Sequence, residues 1–210
     1  MGPLFLAYLA VTAVLVLTPG STTAVVVRNT LARGHRAGIV AALGAAVANT
    51  MHATAAGLGI WVLLGRWPAV LDGIRLGSAA YLAWLGALSF LRAWRHADVG
   101  VRIAVASDRA PILSHHPSFI EGLTVNLLNP AIIAFYLAVV PTFIPPSPPR
   151  GYFAVLAAAH VGMAFACHSA WASALHVLRR FFGRPVARRT LEMLTGVALL
   201  WLAARVVGRI

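Results

Sequence analysis

The chain has 210 residues, 60% of them hydrophobic and only 10% charged, with a mean hydropathy of +0.83. A soluble domain carries about 25% charged residues, so this composition excludes an ordinary water-soluble fold and points to a polytopic membrane protein. The net charge of +12 rests on arginines scattered between apolar runs, which excludes the basic face of a nucleic-acid binder, and a single cysteine, Cys167, excludes an internal disulfide.

A membrane span needs about 20 mostly apolar residues. Six segments supply them: roughly 3–27, 38–64, 68–91, 119–140, 152–178 and 191–208. The first has no basic segment ahead of its apolar run and exceeds a signal-peptide core, so it reads as a span that stays. It is interrupted by "LTPGST" (Leu17 to Thr22). A proline inside a helix costs about 3 kcal/mol, which lipid tolerates only where protein or a polar cavity satisfies the released backbone groups. The second span contains "AALGAAVANTMH" (Ala41 to His52). The third contains "GSAAYLAWLGA", where Gly77, Ala80 and Gly86 suit close helix packing while Tyr81 and Trp84 fill space or sit at an interface. A polar connection over 92–118 follows, ending near "SHHP" (Ser114 to Pro117), two adjacent histidines that by themselves make a weak metal site.

The fourth span opens with "EGLTVNLLNPA". Asn126 and Asn129, three apart, are expected on one helical face just before Pro130. "PTFIPPSPPR" then reads as a stiff extended loop. The fifth span holds "AAAHVGMAFACH" (Ala157 to His168) and His176, and the sixth closes the chain. Aligned without gaps, this stretch matches the second span at Ala41/Ala157, Ala42/Ala158, Ala48/Ala164 and His52/His168.

Sorting the arginines by connection places twelve on one side and five on the other. By the positive-inside rule the twelve, including Arg28, Arg33 and Arg36, are cytoplasmic and both termini face outward. Taken singly, each arginine reads as an anchor. The chain is one transmembrane domain over 1–210, with halves of about 3–92 and 119–209. Three spans per half force the second half to insert inverted, and each half opens with a broken span. Paired breaks of this kind point to a site near the bilayer midplane. The expected fold is therefore an all-α integral membrane protein, six helices in two inverted three-helix repeats, with the first and fourth interrupted.

The series "TPGS", "LARGHRAGIVAALG", "GSAAYLAWLGA", "EGLTVNLLNPA" and "VVPTFI" resembles the LysE/RhtB family of amino-acid exporters in order and spacing, over roughly residues 4–208. The resemblance implies a small six-span inner-membrane protein that exports amino acids or their derivatives, driven by the proton gradient. Three departures stand out. Ser21 replaces a second proline in the first break, Ala131 replaces a lysine after the second, and Asn49 and His52 stand where an acidic residue is usual in the second span.

Proton coupling needs a group that changes charge within the membrane, and no carboxylate lies deep in an expected span; Glu121 and Glu192 fall near span ends. His52 and His168 are the candidates, since histidine titrates nearest physiological pH, while His160 and His176 read as packing histidines. For a substrate carboxylate, helix starts beyond Pro19-Gly20 and Pro130 offer amides. Carbonyls released before each break, with Asn49, Asn126 and Asn129, suit an ammonium, and Thr18, Ser21 and Thr22 add hydroxyls. The alternative is divalent metal efflux, suggested by His52, His160, Cys167 and His168. Cys167 and His168 point about 100° apart on a helix and make no nucleophile and base pair, so neither an enzyme nor a cofactor is expected. At 22.2 kDa the chain is small for a transporter, which suits a homodimer.

Overall fold

The computed structural model describes residues 2–59, 66–95, 115–181 and 185–207. Most of the expected 92–118 connection, including Ser114, lies outside the described residues, as do 60–65 of the second span and Arg102, Arg109, Arg184 and Arg209. The described residues are 88% helical, and no strand occurs among them.

Helix α1 (Pro3–Leu17) starts on a proline, whose missing amide would be unpaired there anyway. It stops because Pro19 drives the preceding Thr18 into an extended conformation, φ −69° and ψ 116°. The Thr18 amide and hydroxyl both donate to the Val14 carbonyl, at 3.1 and 2.7 Å, closing the helix end. Helix α2 (Ser21–Arg33) leaves at 49° to α1. Gly34, at φ 98°, ends it in a conformation that a side chain would disfavour, and α3 (His35–Gly57) begins at once.

Helix α4 (Pro68–Arg95) leads to the second broken pair. Here α5 (His116–Leu127) is followed by α6 (Pro130–Ala134), a π-helical turn over Phe135–Val139 and a 3-10 turn over Val140–Phe143, with a bend of 48°. The long helices α7 (Tyr152–Phe181) and α8 (Pro185–Val207) complete the chain. By length and hydropathy, α3 and stretches of α4 and α7 can each cross a membrane, and each bent pair qualifies as a unit, giving three to five candidate spans; the apolar part of α8, Met193–Arg205, is shorter.

Small residues set the packing. A Cβ added at Gly122 of α5 would collide with the Ala41 carbonyl of α3, and one at Gly44 of α3 with the Phe119 carbonyl of α5, so these backbones are in direct contact. Helix α8 lies against α4 in the same manner, with Gly86 facing the Gly196 carbonyl and Leu200. The packing expected of Gly77 and Ala80 is not found: a Cβ at Gly77 would meet open space and Ala80 is exposed, because α4 turns its Gly86 face to α8. Tyr81 and Trp84 stack near one another with ring centres 5.5 Å apart, Trp84 outward. Among the described residues one apolar cluster joins Tyr8, Ile132, Phe135, Tyr136 and Leu156, a second Val25, Leu82, Leu85, Val125 and Leu199, and a third Val26, Ala41, Ala42 and Ala172.

Candidate functional site

Both breaks open onto one cavity of about 800 Å³. Pro19 and Gly20 line it from one side, Asn129 and Pro130 from another, and α7 presents His160, Ala164 and His168 along a single helix face. Its exposed rim includes Val14, Trp201 and Arg205, whose guanidinium carbon sits 5.0 Å from the Trp201 ring centre.

The proline breaks explain the polar side chains around them. The Asn126 carbonyl would normally accept from the amide four residues on, which Pro130 lacks. It accepts instead from the Asn129 amide at 3.1 Å and lies 3.0 Å from His52 Nε2, reaching over from α3. At the first break the Val16 carbonyl loses its partner four residues on, and the Cys167 thiol of α7 takes that place at 3.4 Å. Each break is thus satisfied in part by a side chain from another helix. Cys167 therefore has a specific partner across the break.

Asn126 is the polar hub. Its Nδ2 donates to the Ala45 carbonyl at 2.8 Å and to Asn49 Oδ1 at 2.6 Å, while its Oδ1 accepts from the Thr22 hydroxyl at 3.0 Å. Asn126, Asn49 and Thr22 are all buried. The expectation that Asn126 and Asn129 share a helical face is corrected: α5 ends at Leu127, and Pro130 holds Asn129 extended. Asn129 becomes the cap of α6, its Oδ1 accepting from the Ala131 amide at 3.0 Å. The other break has no such cap, since Gly20 brings no side chain to α2.

The histidines separate by environment. His168 is 8% exposed and lines the cavity, with its Nδ1 buried and without a hydrogen-bond partner. His160 is fully buried at the cavity wall; its Nδ1 pairs with the Tyr136 hydroxyl at 3.0 Å, and its Nε2 has no partner. Tyr136 sits on the π-helical turn, a feature common at functional sites. His52 stands behind Asn126, away from the cavity lining. His176 packs near His35, ring centres 4.9 Å apart. Of the "SHHP" pair, His115 is buried and His116 exposed.

Farther along α2 lies a charged cluster that the sequence did not reveal. Glu121 pairs with Arg28 and, at 2.9 Å, with Arg33, and accepts from Asn29 Nδ2 at 2.9 Å. Arg28 also donates to Ser89 of α4 at 3.1 Å and Arg33 to Asn29 at 2.6 Å. Arg28 is only 3% exposed, so the anchor reading is corrected for it: the glutamate draws the guanidinium into the bundle. The missing signal is range, because 93 residues separate Arg28 from Glu121.

A family model described as LysE type translocator matches residues 13–209. The uncharacterized membrane protein YrhP of Bacillus subtilis is 32% identical over 140 residues, 66% of this chain and 67% of its own. The homoserine/homoserine lactone efflux protein of Salmonella typhimurium is 29% identical over 144 residues, 69% of this chain and 66% of its own. The leucine efflux protein of Klebsiella pneumoniae is 29% identical over 140 residues, 67% and 63% respectively. The matched stretch therefore spans about two thirds of these relatives. No solved structure matches the chain.

Proposed function

The chain belongs to the LysE-type translocator family, and from that premise we propose that it is an exporter of amino acids or related small zwitterions, coupled to the proton gradient. The carrying observation is the cavity between the two breaks, bounded by Pro19, Gly20, Asn129 and Pro130. Its volume, about 800 Å³, is ample for a single amino acid, and pockets that bind small molecules run from about 300 to 1,000 Å³.

Two bends of 49° and 48°, one in each half, support a six-span inverted repeat, in which a site at the repeat interface is alternately exposed to the two sides. In this reading the Arg28, Arg33 and Glu121 cluster lies toward the cytoplasm, both termini lie outside, and the whole chain is one domain of the inner membrane. Pro19, Gly20, Asn49, Asn126, Asn129 and Pro130 form the substrate region, with Asn49 and Asn126 holding its wall. His168 faces the cavity and His52 backs the Asn126 carbonyl; these two carry the proton coupling. A homodimer remains compatible with this arrangement.

Metal efflux gains no comparable support: among the described residues, no three His, Cys, Asp or Glu side chains converge as ligands. The test is counterflow in proteoliposomes loaded separately with leucine, homoserine and divalent metals under an imposed pH gradient. Amino-acid flux that follows the gradient is the expected result. Flux of metal alone, or of no solute, would overturn the proposal.

A further inference from the structure

The two helix starts at the cavity are chemically unequal. At the second break, Asn129 already occupies the Ala131 amide, and the helix it caps, α6, is only five residues long. At the first break, α2 runs for 13 residues and no side chain caps it. Its first backbone bond is from the Ala24 amide to the Gly20 carbonyl. The amides of Ser21, Thr22 and Thr23 therefore precede the helical ladder, as in the first turn of any helix, and all three residues line the cavity. The Thr22 hydroxyl of the first turn is turned to Asn126.

A second feature points to a ligand. His168 projects from α7 into the same cavity, more than nine-tenths buried, with Nδ1 unpartnered; buried polar atoms are almost always paired, so an orphan at a cavity wall calls for a partner. No aspartate or glutamate lines the cavity among the described residues, and the charged side chain at its rim is Arg205. Helix start and guanidinium favour negative charge, an imidazole N–H can donate to it, and no carboxylate described there would balance a net positive charge.

We infer that the uncapped start of α2 and His168 form a carboxylate subsite, which selects cargo bearing a carboxylate and no net positive charge. This rests on the exporter reading above and narrows its substrate: leucine or homoserine fits, lysine does not, and an analogue without the carboxylate does not. The substrate carboxylate acts as the missing N-cap of α2. Asn129 makes the second break a structural hinge without a ligand role for its amides.

Gly20 supplies the test. It is extended, with φ −133° and ψ −166°, and a Cβ there would meet nothing within 4 Å, so larger residues fit. Gly20→Asp would place a carboxylate on the amides that the substrate is held to occupy. Purified protein in nanodiscs is titrated with leucine, leucinol, lysine and 4-methylpentanoate, the leucine skeleton without its amine, and its Tm is recorded. The expected result is leucine binding by the unaltered chain, at least about tenfold weaker binding in Gly20→Asp, and a Tm that is unchanged or higher. A purely structural break would give the Tm effect without the affinity loss. Gly20→Ala, which adds bulk but no acceptor, separates the two causes: equal affinity losses in both variants would overturn the subsite. Leucinol or lysine bound as tightly as leucine would also overturn it while leaving the exporter reading intact. Binding of none of the probes by the unaltered chain would overturn both.

Discussion

The Thr22 hydroxyl of one broken helix pair donates to the Asn126 side-chain oxygen of the other at 3.0 Å, joining the two interruptions through a single buried amide. Asn126→Ala removes this bond and two more, to Ala45 and Asn49. Interhelical hydrogen bonds in membrane proteins average about 0.6 kcal/mol, so the expected loss is about 2 kcal/mol, against about 0.6 kcal/mol for Thr22→Val. Unfolding in mixed micelles would measure both, and equal losses would show that Asn126 is no hub.

Changing Pro19 or Pro130 to alanine restores a backbone donor and lets the helix run on. Export should be abolished in both variants, while membrane insertion, read by fractionation, is retained. Normal counterflow in both would remove the breaks from the transport mechanism.

Glu121 holds two arginines, and their environments predict an order of effects. The Arg28 side chain is 3% exposed and that of Arg33 26%. Glu121→Gln leaves Arg28 buried beside a neutral group and should cost about 3 kcal/mol. Arg33→Gln should cost less than about 1 kcal/mol, since water shares that ion pair. Thermal unfolding of the two variants in the same detergent gives the comparison, and the reverse order would contradict the packing seen here.

The contact of α3 with α5 is backbone to backbone, so neither side can yield by a rotamer change. Gly122→Ala should destabilise by about 1–3 kcal/mol as the helices part. Gly162→Ala, with nothing within 4 Å of the added carbon, should stabilise by up to about 1 kcal/mol through helix propensity. Equal Tm shifts would refute the close approach.

His168 and His52 should differ when replaced by alanine. His168→Ala is expected to uncouple flux from the imposed pH gradient with little change in Tm, since its Nδ1 has no protein partner to lose. His52→Ala removes the group at the Asn126 carbonyl and should lower Tm as well as the gradient response. A gradient response that persists in both variants would place the coupling elsewhere.

The sequence by itself determined the helical class, the membrane setting, the family likeness and the position of both breaks. These are local properties: apolar length, charge sparsity and proline chemistry act within a few residues of the chain. It also marked Asn126 and His52 as polar groups in apolar surroundings. Tertiary structure alone decided what those groups touch, because the partners lie tens of residues away: His52 meets a carbonyl 74 positions later, Arg28 a carboxylate 93 later, and Cys167 a carbonyl 151 earlier. It also decided that His160 stands at the cavity wall beside Tyr136, and that one helix start is capped while the other is open. No periodicity encodes such facts. They follow from which faces the crossing helices turn to one another, set here by backbone contact at Gly44 and Gly122.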